Sequence, residues 1–258
     1  MRLPSGENAT QYIGFSPLKV DGDVDSIDFA PCGNKFAIAC NNYLSSSYSV
    51  QIFSQDGSTG NFACQSTLRG HNNVVSSLAF KPDDPNVLVT GSWDKTVKLW
   101  DLSTSTCLST MRGHTDPVSS VCFSPDGAKI VSGSWDEKVL IWDAASGEQL
   151  CSLNVDAGFY GVLSISFAPK GDMVAAGCSN GKIFFVDPTA GEIKSSLTGH
   201  THTVTGVYFD PTGKKIVSCS RDKTIRFWDS ATGAAIGSPV NVGYAPFSLD
   251  VGAVFNQI

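Results

Sequence analysis

Gly91-Ser92-Trp93-Asp94-Lys95-Thr96-Val97-Lys98-Leu99-Trp100-Asp101 returns one period later as Gly133-Ser134-Trp135-Asp136-Glu137-Lys138-Val139-Leu140-Ile141-Trp142-Asp143. A Gly-His pair and a phenylalanine precede each stretch: Gly70-His71 and Phe80 for the first, Gly113-His114 and Phe123 for the second. A third copy runs through Gly199-His200, Phe209, Ser220-Arg221-Asp222 and Phe227-Trp228-Asp229. The Gly-His pairs stand 43 and 86 residues apart, so the longer interval holds a degenerate copy. That copy reads Val162–Phe167, Val174–Gly177 and Ile183–Asp187, with Val186 in place of Trp, Asn180 in place of Asp and no Gly-His before it. At the front, Val24–Phe29, Phe36–Ala39 and Ser49–Phe53 make a first copy, lengthened by Asn41–Ser47.

Within each copy, apolar runs of four to six residues rich in Val, Ile, Phe and Thr alternate with turn clusters such as Pro125-Asp126-Gly127, Pro169-Lys170-Gly171 and Pro211-Thr212-Gly213. Short runs punctuated in this way predict antiparallel strands and no helix of useful length. In the copy opening at Gly70 the strands are expected at Val75–Phe80, Val87–Ser92, Thr96–Trp100 and an outer Thr106–Met111. A four-stranded sheet cannot bury both faces alone, so each must pack on its neighbours around a common axis.

The pattern resembles the WD-repeat (WD40) β-propeller family, from about Asp23 to Ser230. The resemblance implies an all-β propeller of four-stranded antiparallel blades, with five legible repeats and a partial sixth. The repeats divide the chain at about 21–69, 70–112, 113–154, 155–198 and 199–240, with residues 1–20 as an N-terminal segment and 241–258 as the start of a further blade.

The family resemblance also implies a buried polar tetrad in each full repeat, in which a turn Asp holds the His, the His meets a Ser and the Ser meets the indole N–H. The matching residues are His71, Ser92, Asp94 and Trp100; His114, Ser134, Asp136 and Trp142; and His200, Ser220, Asp222 and Trp228. Read without the family, His, Ser and Asp together suggest a hydrolase triad. A nucleophile needs a cleft and an oxyanion site, however, whereas this trio recurs three times with a Trp donor attached. A network that pairs all its own members is a structural device. A catalytic propeller would need convergent carboxylates or histidines on successive inner strands, where only Asp23 and Asp25 are acidic.

Composition narrows the partners. The net charge of −6 gives no footprint for nucleic acid or anionic membrane. The 41% hydrophobic and 16% charged content fits sheets covered on both faces. The eight cysteines lack metal or redox spacing and read as small buried apolar residues of a reducing compartment, with cytoplasm or nucleus as the expected location. His202, the one histidine outside the Gly-His pairs, has no ligand cluster around it, and no cofactor or metal is expected.

Function is therefore expected on the surface. In the resembled family, the residue before the turn Asp and two alternate residues opening the inner strand project onto the rim where partners dock. These positions hold Trp93, Trp135, Ser179 and Arg221 before the turns; Val74 with Ser76, Pro117 with Ser119, Gly161 with Leu163 and Thr203 with Thr205 at the inner strands; and Asp23 with Asp25 in the first copy. Trp and Arg dominate interface energetics, so Trp93, Trp135 and Arg221 are the expected anchors.

The chain reads as a non-catalytic interaction scaffold binding peptides or domains of other proteins on its rim. The alternatives are a substrate-recognition or receptor subunit of a ubiquitin ligase or transport machine, then a propeller-scaffold hydrolase. A seven-bladed ring needs about 300 residues, so the arc is expected to be incomplete. It would be cut short within a blade begun by Phe247–Val251, completed by another chain, or closed tightly on five blades. Gln11–Phe15 is a candidate closing strand. The favoured expectation is the cut arc.

Overall fold

The computed structural model describes Leu18, Val20 and residues 22–246 of the chain. These residues form twenty strands in five sheets and no helix. The first sheet holds β1 (Asp23–Phe29), β2 (Lys35–Asn42), β3 (Ser47–Gln55) and β4 (Phe62–Arg69), and the second β5 (Val75–Lys81), β6 (Asp84–Ser92), β7 (Thr96–Asp101) and β8 (Thr106–Arg112). The third holds β9 (Val118–Phe123), β10 (Lys129–Ser134), β11 (Lys138–Asp143) and β12 (Gln149–Asn154). The fourth holds β13 (Val162–Phe167), β14 (Val174–Cys178), β15 (Ile183–Asp187) and β16 (Glu192–Leu197). The fifth holds β17 (Val204–Phe209), β18 (Lys215–Ser220), β19 (Thr224–Asp229) and β20 (Ala235–Asn241). Each sheet is an antiparallel meander in chain order, with its first strand innermost. The candidate strands at Gln11–Phe15 and Phe247–Val251 lie outside the described residues.

Turn chemistry sets the hairpins. Gly127, Gly171 and Gly213 take φ of 66°, 75° and 71° in the three Pro-x-Gly turns, a region that favours residues without a Cβ. At the opposite end of the sheets, Lys95, Glu137 and Lys223 occupy the same left-handed position with φ of 72°, 62° and 68°, and Gly181 replaces them in the fourth sheet with φ of 85°.

The core lies between sheets. Ala37, Ala39, Val50 and Ile52 of the first sheet pack on Val75, Leu78, Phe80, Leu88 and Trp100 of the second. Val89, Val97 and Leu99 pack on Val118, Val121, Phe123 and Trp142. Val131, Val139 and Ile141 meet Val162, Ile165 and Val186, and Ala175, Ile183 and Phe185 meet Val204, Val207 and Trp228. Full burial of each such aliphatic side chain favours folding by about 1.5–3 kcal/mol. The sheets thus make an arc joined by four interfaces and not closed into a ring. On the outer face of the first sheet Val24, Ile27 and Phe29, the counterparts of the buried Val75, Leu78 and Phe80, are exposed.

Hydroxyls on the innermost strands stitch neighbouring sheets. Ser76 donates to the Val118 carbonyl at 2.5 Å, Ser119 to the Val162 carbonyl, and Thr205 to the Pro246 carbonyl at 2.6 Å. In the other direction the amides of Val121, Ile165 and Val207 each donate at 3.1 Å to Ser77, Ser120 and Ser164. Ser76, Ser119 and Thr205 were expected on a partner-binding rim. The Ser76 and Ser119 hydroxyls are instead engaged by the adjacent sheet, because the axis brings these strands within hydrogen-bonding reach of one another, and Thr205 is engaged by the segment that follows β20.

None of the eight cysteines is in a disulfide. Cys40, Cys178 and Cys219 are buried, but Cys32, Cys64 and Cys107 are exposed, which corrects the expectation that all serve as core residues. Cys64 and Cys107 sit on the outermost strands β4 and β8, and Cys32 sits in the turn between β1 and β2, where no neighbouring layer covers them.

Close sheet approach requires Gly133, since a Cβ there would lie 2.6 Å from Val162 Cγ1 and 2.8 Å from Ile165 Cδ1. Gly133→Ala is expected to destabilise the fold by about 1–3 kcal/mol through overpacking. Gly57→Ala, where a Cβ meets nothing within 4 Å, serves as the control. Thermal unfolding of the two variants checks the difference.

Candidate functional site

At the end of the sheets where the second and third strands turn, three relays descend into the core. Trp100 Nε1 donates to Thr90 Oγ1 at 2.9 Å, Thr90 Oγ1 lies 2.7 Å from His71 Nε2, and His71 Nδ1 lies 2.8 Å from Asp94 Oδ2. The third sheet repeats this through Trp142, Ser132, His114 and Asp136 at 2.8, 2.7 and 2.9 Å. The fifth does so through Trp228, Ser218, His200 and Asp222 with all three distances 2.8 Å. Because the indole N–H can only donate, the hydroxyl accepts it and is left free to donate its own O–H to Nε2. The imidazole is then a neutral Nδ1–H tautomer donating to the carboxylate, and every buried polar atom of the relay is paired.

The hydroxyls differ from the expected Ser92, Ser134 and Ser220. Those three cap the turns: they accept the amides of Asp94, Asp136 and Asp222 and donate to the carbonyls of Asn73, Asp116 and His202. Side chains two residues apart share a sheet face, so Thr90, Ser132 and Ser218 lie on the same face, one step deeper and beside the Trp. The sequence signal was present as a hydroxyl residue two places before each expected serine.

Electrostatics favours an ionised carboxylate in the relays and, at His200, a neutral ring. Burial would raise the Asp94 carboxyl, but His71, Thr96 and the Asn72 amide donate to it and hold it well below the usual carboxylate range. Asp222 behaves alike: burial opposes, and Thr224, His200 and the Thr201 amide prevail. His200 is shifted downward because burial disfavours the imidazolium more than Asp222 supports it. The relay hydroxyls Thr90, Ser132 and Ser218 are fully buried and out of reach of any substrate.

Above the relays, the backbone amides of Trp93, Trp135, Ser179 and Arg221 donate to the carbonyls of Val74, Pro117, Gly161 and Thr203. This pins each turn to the loop entering the inner strand. Val74 and Thr203 are 3% and 4% exposed. They were expected on the rim, but the pinned turn folds over them. Pro117 is half-buried, Arg221 and Asp23 are exposed, and Asp25 accepts Asn41 Nδ2 at 2.6 Å and the Tyr43 hydroxyl at 3.1 Å. His202 is exposed, its Nδ1 accepting the Thr203 amide.

Trp93 and Trp135 are half-buried and meet with ring centroids 5.5 Å apart. The row continues beyond them: Trp135 meets Tyr160 at 5.5 Å edge to face, and Tyr160 meets Phe159 at 5.0 Å. Phe159 is 88% exposed and Tyr160 44%. These two aromatic residues were missed because their segment carries no repeat motif.

That loss of motif is what creates them. In the fourth sheet Ala176 stands at the relay hydroxyl position, Val186 at the Trp and Asn180 at the Asp, so no histidine is needed below the loop. The freed loop turns through Gly158 and Gly161, with φ of 81° and 60°, and lies on the preceding sheet. A Cβ on Gly161 would come within 2.5 Å of Trp135 Cα and closer still to the Ser134 carbonyl. The loop is held by the Tyr160 amide donating to Ser179 Oγ and by Asn180 Nδ2 donating to the Asp156 carbonyl.

Radially packed four-stranded sheets with an internal His-Asp relay and a loop-built rim define a repeat propeller of the protein-binding class. The family described as WD domain, G-beta repeat matches residues 62–101, 105–143, 147–187 and 191–229, and the chain belongs to it. Each matched unit begins on an outer strand and ends on the third strand of the next sheet, so it straddles an interface; the strands β1–β3 and β20 lie outside the matches. The chain is 28% identical over 193 residues to nuclear distribution protein nudF of Aspergillus niger, covering 68% of this chain and 44% of the relative. It is 31% identical over 115 residues to WD repeat-containing protein 1 of Mus musculus, covering 41% and 18%. It is 37% identical over 76 residues to the guanine nucleotide-binding protein subunit beta of Zea mays, covering 30% and 20%. The chain thus spans less than half the length of these relatives.

Thr90→Val keeps the side-chain shape but leaves His71 Nε2 and Trp100 Nε1 without partners. The expected cost is about 1–3 kcal/mol for each buried group so orphaned, read from urea unfolding. Acid should also destabilise the fold in two stages. Unfolded His200 binds its proton near its ordinary 6.5 while the folded ring resists, so stability falls as pH drops below that value. The depressed Asp94 and Asp222 add a steeper loss below their ordinary 3.8. Asp222→Asn is expected to flatten the lower limb in a series of unfolding midpoints against pH.

Proposed function

We propose that the chain is a non-catalytic protein-interaction scaffold that docks partners on the aromatic row Trp93, Trp135, Tyr160 and Phe159, with Arg221 as a second anchor. The observation that carries this reading is Phe159. A phenylalanine 88% exposed at the tip of a loop fixed by two left-handed glycines contributes nothing to the core, yet its position is specified. Exposed contiguous apolar surface of this kind marks interaction sites, and large aromatic residues with arginine carry most interface energy. Family membership supports the scaffold role in general. Eight cysteines without a disulfide agree with a cytoplasmic or nuclear location.

Affinity capture with the wild-type chain, Phe159→Ala/Tyr160→Ala and Trp93→Ala/Trp135→Ala tests the reading. The Phe159/Tyr160 pair is expected to lose partners while stability stays within about 0.5 kcal/mol, as for an exposed site. The Trp pair is expected to lose them with some loss of stability, since both rings are half-buried. Partner retention by both variants would refute the site.

A further inference from the structure

The interaction face of the preceding section carries its own indication of partner chemistry. We propose that it takes basic side chains, arginine above all, from an extended segment of a protein partner.

Ring geometry is the first ground. Phe159 on Tyr160 and Tyr160 on Trp135 are inclined at 85° and 74°, so these rings meet edge to face and do not cover one another as a stack would. The exposed Phe159 and Tyr160 therefore leave π surface open to solvent. A ring face is negative in its quadrupole and attracts a cation lying on it, and a planar guanidinium stacks there best.

The charges around the row are the second. Asp116, Glu137 and Asp156 are exposed in the loops and turns that carry or adjoin the aromatic residues. Lys95, Lys138 and Lys182 are the cations in or beside these turns, and Arg112 closes the outer strand β8 at the same end. Lys95 donates to the Thr115 carbonyl at 2.5 Å and lies 3.6 Å from Asp116, and Lys182 lies 2.7 Å from Asp156. Glu137, two residues from Trp135, has no ion-pair or hydrogen-bond partner for its carboxylate among the described residues.

The unpaired Glu137 carboxylate and the ring faces thus act in the same sense: both favour an incoming cation and disfavour an anion. A lysine or arginine lying on the exposed Phe159 and Tyr160 rings gains the ring contact, and Glu137, in the turn that carries Trp135, adds a carboxylate nearby in the chain. An acidic or phosphorylated segment would lose on both counts. Arg221 and Lys223, also basic and at this end, stand on the fifth sheet, two sheets from Trp135.

Fluorescence anisotropy with the full chain and two labelled Gly-Ser peptides of equal length, one carrying arginines and one glutamates, tests this. The arginine peptide is expected to bind at low salt and the glutamate peptide not. Phe159→Ala/Tyr160→Ala should weaken the arginine peptide by about tenfold, and Glu137→Lys should weaken it severalfold. Asp172→Lys, on an exposed turn at the opposite end of the strands, should change it little. Equal binding of both peptides, equal loss in Asp172→Lys and Glu137→Lys, or full binding by the Phe159/Tyr160 variant would overturn the proposal. If that variant loses natural partners but the peptides fail to discriminate, the docking face stands and its preference for basic segments falls. If it keeps both, the face itself falls.

Discussion

A four-stranded sheet with two apolar faces cannot exist alone in water, and the architecture follows from that constraint. Each sheet must hide one face on the sheet before it and the other on the sheet after it. Val75, Leu78 and Phe80 lie on Ala37, Ala39 and Ile52, and the same arrangement recurs at three further interfaces. The inner strands have to approach closely for the stack to turn about an axis. Gly91, Gly133 and Gly177 supply the room, each facing a valine of the next inner strand. Where no preceding sheet lies among the described residues, the corresponding Val24, Ile27 and Phe29 are exposed.

Packing of this kind leaves little water between sheets, so any polar group placed there must be satisfied inside the protein. The Trp-hydroxyl-His-Asp relays meet that requirement from end to end and tie the turn between the second and third strands to the loop that enters the inner strand. Their repetition in three sheets, and the full burial of their hydroxyls, identify them as supports and not reactive centres. The first and fourth sheets solve the same problem without polarity. Phe53 and Ile38, or Val186 and Ala176, fill the positions of the Trp and the hydroxyl.

That substitution links stability to function. A loop above a relay is bound by its histidine and stays low, whereas the loop of the fourth sheet has no histidine to bury. It is free to lean on Trp135 and raise Phe159 and Tyr160 into solvent. The aromatic face thus arises from a local exception to the repeat, supported on one side by a sheet that obeys it.

Repeat period, turn glycines and the alternation of apolar residues were enough to place the strands, because both spacing and backbone conformation are local properties of the chain. The copy beginning at Gly70 shows the agreement: its strands fall at Val75–Lys81, Asp84–Ser92, Thr96–Asp101 and Thr106–Arg112, against expected Val75–Phe80, Val87–Ser92, Thr96–Trp100 and Thr106–Met111. The His, Asp and Trp of each relay were equally legible from their matched offsets. Which hydroxyl joined them was not, since Thr90 and Ser92 share a face and only the depth of the Trp ring in the interface distinguishes them. The fate of Ser76, Ser119, Val74 and Thr203 was hidden for the same reason: contacts to a neighbouring sheet, or beneath a pinned turn, join residues whose proximity no local pattern encodes. Tertiary structure alone decided that Phe159 and Tyr160, unremarked in the sequence, would stand beside Trp135 and complete the surface.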